Sequence, residues 1–349
     1  MAKRSSTLVG LEIEPSALHA AAVSVNGRIV VQHAATAPLE AGIVRDGEIV
    51  DADALAEALR GLFRDHKELD KRVRIGIANQ KIVVRIIELP PIDDAKELEA
   101  AIRFQAQDEI PMPLDSAVLD FHPLDIVDTP NGPRQRVVLV AARRDMIERV
   151  LAAARAAGLR PEGIDLAAFA MVRALHRLSD PHETVLYLAI GGLTNLAVAQ
   201  GTTCLFTRVV GGGLEALAVE LAERRQLTLE HARGWLEHVG LDGEPEDADG
   251  YDEHPELVAD ARLVLADGVR RIATEVRNSV DFHHAQGGAT GVARCVLTGP
   301  AASIGGFADA LSAGLGLPVE TGGVEGELDD IDAPRLTIAA GLAVLEGVA

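Results

Sequence analysis

The stretch VLYLAIGGLTNLAVAQGTTCLFTRVVGGG, Val185 to Gly213, decides the fold. It reads as a strand, a Gly191-Gly192 turn, a second strand, a Gly201-Thr202 turn, a third strand and a glycine triplet that opens a helix. Two glycines after a buried strand, followed by Thr194 and Asn195, let backbone amides and a hydroxyl approach a phosphate closely. Such loops also carry an acid for the metal ion, and here the position before Ile190 is Ala189. An alanine neither ligates nor orients a hydrated cation.

The same pattern occurs near the start of the chain. Leu8 to Ile13, Leu18 to Val25 and Arg28 to Ala35 alternate as strands, with Asn26-Gly27 as a tight turn. Asp51 and Asp53 then open a helix with Leu55, Leu59 and Phe63 on one face. Strand, glycine-containing turn, strand, tight turn, strand and helix thus appear twice, which predicts two duplicated α/β halves whose hairpin ends face one cleft. Val73 to Asn79 and Ile82 to Leu89 are two further strands of the first half, stopped by Pro90-Pro91.

Between the halves lies a different module. Asp94 and Glu97 form a capping box for a helix from Leu98 to Asp108, and Ile110 to Asp115, IPMPLD, ends it. Val118 to Val127 and Arg136 to Ala142 read as strands around Pro130-Asn131-Gly132-Pro133, and Asp145 with Glu148 starts a helix that runs to Gly158. A helix from Leu166 to Leu178 leads into the second half. There Leu214 to Arg225, a segment from Leu229, and a long stretch carrying Leu257, Ala261, Val264, Ile272, Val276 and Val280 are helical. Cys295 to Gly299 is a strand, a helix runs through Leu311, and Leu336 to Leu345 is the final helix.

Composition removes several classes of function. The net charge of −20 and pI near 4.9, with no Lys/Arg run longer than two, argue against nucleic-acid binding. The N-terminus has no apolar core of a signal segment and no window approaches a membrane span, so a cytoplasmic protein without direct membrane insertion is expected. Cys204 and Cys295 sit in apolar strand-like runs and read as reduced buried thiols.

Together, VGLEIEPSALH, LPPIDDAKELEAAIRFQAQDEIPMPLD, VVLVAARRDMIERVLAAARAAGLRPEGIDLAAFAMVRAL, IGGLTNLAVAQGTTCLFTRVVGGG and LTGPAASIGGFADALSAGLGLPVE resemble the PilM family of type IV pilus assembly proteins. The inserted module is the most specific part of the resemblance. It implies a duplicated actin-like (ribonuclease H-like) ATPase fold of the α/β class with an inserted small α+β domain, the 1C type also found in the cell-division protein FtsA. The implied division is 7–92 with 166–183 as the first half, 93–165 as the module, 184–228 with 290–349 as the second half, and 229–289 as a helical subdomain. The implied partner is the N-terminal cytoplasmic tail of a PilN-type inner-membrane protein within the pilus assembly platform, with homo-oligomers left open. That partner would hold the protein at the inner face of the membrane.

The resemblance places nucleotide and Mg²⁺ binding at Glu12, Ser16, Gly191, Gly192, Thr194, Asn195, Gly212, Gly213 and Gly299. Several positions depart from the family's pattern. The first hairpin reads Glu12-Ile13-Glu14, with an anion where a glycine is usual, and His19 stands where a lysine is common. The second reads Ala189-Ile190-Gly191 in place of Asp-Ile-Gly, Arg233 and Leu236 replace a Glu and a Lys, and Pro300 follows Gly299 where a glycine donates an amide. A scaffold with a degenerate cleft, an active Mg-ATPase driving conformational change, and an FtsA-like filament former are therefore the readings to separate. The last predicts a basic amphipathic anchor, and Leu336 to Ala349 carries no Lys or Arg.

For the partner tail, the apolar and polar groups of IRFQAQDEIPMP nominate Arg103, Phe104, Ile110 and Met112, and the family places the tail between the module and the first half. Ile102 reads as module core. His283-His284 read as solvated residues at a helix end, His231 and His238 as surface residues, and the acidic run from Asp242 to Asp252 as a solvated loop. Ser5-Ser6 and Ser16 have no histidine partner for nucleophilic chemistry.

Overall fold

The computed structural model describes residues 8–176, 182–242, 254–285, 290–326, 328 and 331–344. Ser5-Ser6, most of the acidic run after Asp242 and the end expected for the last helix lie outside these residues.

The chain begins with strands β1 (Val9–Ile13), β2 (Ala17–Val25) and β3 (Ile29–Pro38). A ribbon of β4 (Val44–Arg45) and β5 (Glu48–Ile49) leads to helix α1 (Ala52–Asp65) and strand β6 (Arg72–Ile77). Asp51 caps α1 by accepting the Ala54 N–H, and the spacing of Leu55, Leu59 and Phe63 buries one face. Next come β7 (Val83–Leu89), α2 (Ala95–Glu109), β8 (Ala117–Thr129), β9 (Gly132–Arg143) and α3 (Arg144–Ala156). Strand β10 (Arg160–Leu166) and helix α4 (Ala167–Leu175) precede the second meander, β11 (Thr184–Ile190), β12 (Thr194–Gln200) and β13 (Thr203–Val210). Helices α5 (Leu214–Arg225), α6 (Leu229–Val239) and α7 (Pro255–His284) follow. The chain closes with β14 (Arg294–Thr298), α8 (Phe307–Leu315), β15 (Val319–Thr321), β16 (Glu325–Gly326) and α9 (Thr337–Ala343).

Two compact units result: Asn79–Ala152, and the remainder of the chain. In the larger unit the first sheet runs β10-β6-β1-β2-β3-β16 and the second runs β15-β14-β11-β12-β13. Each has an antiparallel three-strand meander joined to two parallel strands, so the duplication expected from the two glycine-turn stretches is present. Side chains of β11 and β12 alternate between two apolar layers, as a sheet buried on both faces requires. Leu186, Leu188, Ile190, Leu196 and Val198 pack toward α5–α8, whereas Val185, Tyr187, Ala189, Ala197 and Ala199 pack with α4. Helix α9 packs on α4 and on β1, β2 and β6. That packing leaves no space for a side chain at Gly10, where an added Cβ would lie 1.8 Å from the Ala339 carbonyl oxygen.

The smaller unit is a three-stranded antiparallel sheet, β7-β9-β8, with α2 on it. Asp94 caps α2 by accepting the Lys96 and Glu97 N–H groups. Its core joins Ile87, Leu89, Leu98, Ile102, Ala106, Ile110, Val137 and Leu139. This unit differs in extent from the expected 93–165. β7 pairs with β9 from Val83↔Ala141 to Leu89↔Gln135, which draws it into the module. β10, whose Arg-Pro-Glu-Gly start gives no strand signal, instead pairs in parallel with β6 of the first sheet.

His283 also departs from expectation. Val276, Ser279 and Val280 precede it by seven, four and three residues and form the buried face of α7, so His283 is carried inward and is only 4% exposed. Its ring stacks on Phe206 at a centroid distance of 5.6 Å, and neither ring nitrogen has a hydrogen-bond partner among the described residues. Burial, reinforced by His284, pushes its pKa down. Cys204 and Cys295 are free thiols as expected, the first half-buried and the second buried.

Candidate functional site

The turns that end β1 and β11 meet across the cleft of the larger unit. The first hairpin is closed by the Glu14 N–H donating to the Ala17 carbonyl at 2.9 Å, and the second by the Gly191 N–H donating to Leu193 at 3.0 Å. The Glu14 carboxylate, carried on the first turn, lies against Gly191 of the second, and the Gly192 N–H lowers its pKa. The fit is close: a Cβ at Gly191 would lie 2.1 Å from Glu14 Oε1, and one at Gly192 would lie 2.6 Å from the Pro15 ring. Gly213 holds the other side of the same turn, because a Cβ there would meet the Gly191 carbonyl oxygen at 2.2 Å. The Leu214 N–H also donates to that oxygen, at 2.7 Å.

Around Glu14 the cleft is lined by acids and two arginines. Glu12, 7% exposed, has its pKa raised well above the ordinary carboxylate value by burial and then by the Glu14 charge. Glu14 is pushed up to about 7 by burial, opposed by the Gly192 N–H and Arg335 and reinforced by Glu215 and Glu237. His19 is pushed down to about 4 by burial and by Arg335. Its Nε2 lies 4.0 Å from Glu14 Oε2, beyond hydrogen-bond reach, and its Nδ1 lies 3.0 Å from Thr36 Oγ1. Because burial drives both groups toward their neutral forms, this contact is not an ion pair near neutral pH. On the far wall Arg233 makes two hydrogen bonds to Glu215, at 2.9 and 2.6 Å, and Arg335 pairs with Glu237 at 2.9 Å. The space left is small: a cavity of about 10 Å³ bordered by Glu12, Ala189 and Thr298, and one of about 30 Å³ bordered by Ser16, Glu215 and Arg233.

The other expected nucleotide residues fall in varied places. Gly299, with φ of 78°, lines the smaller cavity, and a Cβ there would lie 3.1 Å from the Ile190 carbonyl oxygen. Gly192 and Ser16 line the larger cavity, and Gly191 borders both. Thr194 and Asn195 are buried in β12 and border neither, and Gly212 is exposed away from both. Leu236 belongs to the apolar core under α6. Arg335, Glu215 and Glu237 were not singled out from sequence. Arg335 reaches the cleft only because Pro334 and Thr337 anchor its turn to Gly299 and Thr298, at 3.2 and 2.7 Å.

In the module, Arg103 is exposed with its Nε donating to Glu99 at 3.0 Å, and Phe104 is 72% exposed. Ile110 is a correction: it is 6% exposed and packs with Ile102 in the module's own core, because it follows the last turn of α2 on the face that already buries Ala106. Met112 is half-buried against the same core.

The pKa directions fix a pH dependence. Between 4.5 and about 7 the folded protein keeps a proton on Glu14 that the unfolded chain has released. The contribution of Glu14 to stability is therefore fully present below 4.5 and is lost as pH rises through 7. His19 has the opposite sign, its contribution being lost as pH falls from 6.5 through 4. Urea denaturation of wild type and Glu14→Gln across this range is expected to show the Glu14 slope in the wild type alone. The same slope in both would contradict the assignment.

The two matched sheets, the central α4 and α9, and the paired hairpins facing a cleft define the actin-like ATPase fold. Solved structures agree: MreB5 of Spiroplasma citri bound to ADP has a TM-score of 0.51 at 12% identity, over 97% of this chain and 95% of that one. The ethanolamine utilization protein EutJ from Carboxydothermus hydrogenoformans has a TM-score of 0.54 at 16% identity, over 96% of this chain and 88% of that one. At a finer level the family described as Type IV pilus assembly protein PilM matches residues 10–344, and the chain belongs to that family. A PilM-PilN type IV pilus biogenesis complex contains a chain similar to this one with a TM-score of 0.78 and 27% identity over 97% of both chains. No described helix is long and apolar enough to cross a membrane.

Proposed function

We propose that the protein is an actin-like scaffold of type IV pilus assembly. It binds the N-terminal tail of a PilN-type inner-membrane protein and sits through that partner at the inner face of the membrane, within the assembly platform. The observation that carries this reading is the similarity, over 97% of both chains, to a protein solved in a PilM-PilN complex. Of the nominated contact residues, Arg103 and Phe104 offer exposed surface for such a tail, and Met112 offers part of its own.

In this reading the cleft is closed to nucleotide. Magnesium nucleotide, the ligand the fold implies, does not fit the residues present. A carboxylate already lies over the Gly191-Gly192 turn, Ala189 supplies no metal ligand or water-orienting acid, and Pro300 offers no N–H after Gly299. Cavities of about 10 and 30 Å³ compare with roughly 300 Å³ or more for a small-molecule site. A triphosphate would also bring its charge beside the Glu215 and Glu237 carboxylates.

Co-purification tests the partner. Deleting the first residues of the PilN-type tail is expected to abolish recovery of this chain with the membrane protein. Undiminished recovery would overturn the proposed partner.

A further inference from the structure

The cleft contains an anion site that the chain fills by itself. Gly191-Gly192 in the second hairpin and Glu14-Pro15 in the first occupy matching turns of the two duplicated meanders. Where the second turn is bare backbone, the first carries a carboxylate that lies over it, so that a Cβ at Gly191 would stand 2.1 Å from Glu14 Oε1. Backbone amides of a glycine turn bind oxyanions. We propose that Glu14 is an intramolecular latch: its carboxylate occupies the space over the Gly191-Gly192 turn that an oxyanion would need and ties the first hairpin to the second, holding the cleft shut. This deepens the closed-cleft reading above and rests on it.

The surroundings fit a latch. The groups facing Glu14 are Glu12 at the end of β1, His19 on β2, Glu215 on α5, Arg233 and Glu237 on α6, and Arg335 in the turn before α9. Arg233 is engaged by Glu215 and Arg335 by Glu237, so both arginines hold partners other than Glu14. Among the groups that lower the Glu14 pKa, the Gly192 amide has the larger effect and Arg335 the smaller. Pro15 against Gly192 adds apolar contact to the same closure.

Calorimetric titration with ATP, with and without Mg²⁺, tests the latch on wild type, Glu14→Gly and Glu14→Gln. Glu14→Gly is expected to gain at least ten-fold in ATP affinity. Glu14→Gln keeps an oxygen acceptor for Gly192 while losing the charge, and is expected to stay as weak as wild type. An equal gain in both variants would mean that charge repulsion, not occupation, excludes ATP, and would overturn the latch. Folded Glu14→Gly without a gain would overturn the latch and leave the closed-cleft reading standing, whereas tight binding by wild type would overturn both. Gly191→Ala gives an independent arm, because its methyl group would displace Glu14 Oε1, the far end of a flexible side chain. Amide exchange over Ile190 to Leu193 is expected to be at least ten-fold faster in Gly191→Ala and Glu14→Gly than in wild type, and unchanged exchange in both would overturn the proposal.

Discussion

Gly10→Ala is expected to remove at least about 4 kcal/mol of folding stability, most of what a domain near the lower end of the ordinary range of about 5–15 kcal/mol possesses. Gly10, the second residue of β1, is paired on both sides by β2 and β6, so its backbone is fixed. An added Cβ would stand 1.8 Å from the Ala339 carbonyl oxygen, 2.7 Å from the Ala343 nitrogen and 2.8 Å from the Leu342 Cβ. These are backbone and first side-chain atoms, so no rotamer change relieves the clash and α9 must retreat. Retreat would uncover Ile338, Ala339, Ala340 and Leu342, all buried between the sheets. Gly341→Ala meets the same obstacle from α4, 2.0 Å from the Ala170 carbonyl oxygen. Gly61, inside α1 with open space around it, serves as the control: Gly61→Ala is expected to stabilise by up to about 1 kcal/mol. Urea denaturation checks all three, and a wild-type midpoint for Gly10→Ala would contradict the packing of α9 on β1.

Phe104→Glu is expected to weaken tail binding at least ten-fold while leaving stability within about 0.5 kcal/mol of wild type. A ring 72% exposed on a charged helix contributes little to folding, so its replacement separates recognition from stability. Ile110→Glu is the contrasting change: that side chain lies in the module core, and a charge there is expected to unfold the module before it reports on recognition. Fluorescence anisotropy of a labelled tail peptide, with circular dichroism as the check on folding, measures both. Wild-type affinity for Phe104→Glu would remove Phe104 from the contact surface.

Local patterns carried much of this structure. The meanders were legible because their glycine turns and alternating strands are local, and the duplicated sheet order follows from them. Ala189 and Glu14 were legible as departures because the resemblance to the PilM family supplies the Asp-Ile-Gly pattern against which both hairpins are read. The module limits were not, since an apolar strand such as β7 reads the same whichever sheet it joins. β10 was missed because its polar, proline- and glycine-containing sequence has no alternation, and its pairing with β6 supplies what its composition lacks. The cleft's second wall was invisible for a related reason. Arg335, Glu237 and Glu215 are ordinary surface types in sequence, and only the return of the chain through Pro334 sets them opposite Glu14. His283 shows the converse: its spacing from Val276 and Val280 marks the buried face of α7, and its reading as solvated rested only on its place at the helix end.

The proposed scaffold binds a PilN-type tail without help from nucleotide. Titrating a peptide of that tail into the purified full chain, first alone and then with saturating Mg-ATP, tests it most directly. Saturable one-to-one binding is expected in the absence of nucleotide, with an affinity unchanged within two-fold when Mg-ATP is added. Binding that appears only with Mg-ATP, or no binding in either condition, would contradict it.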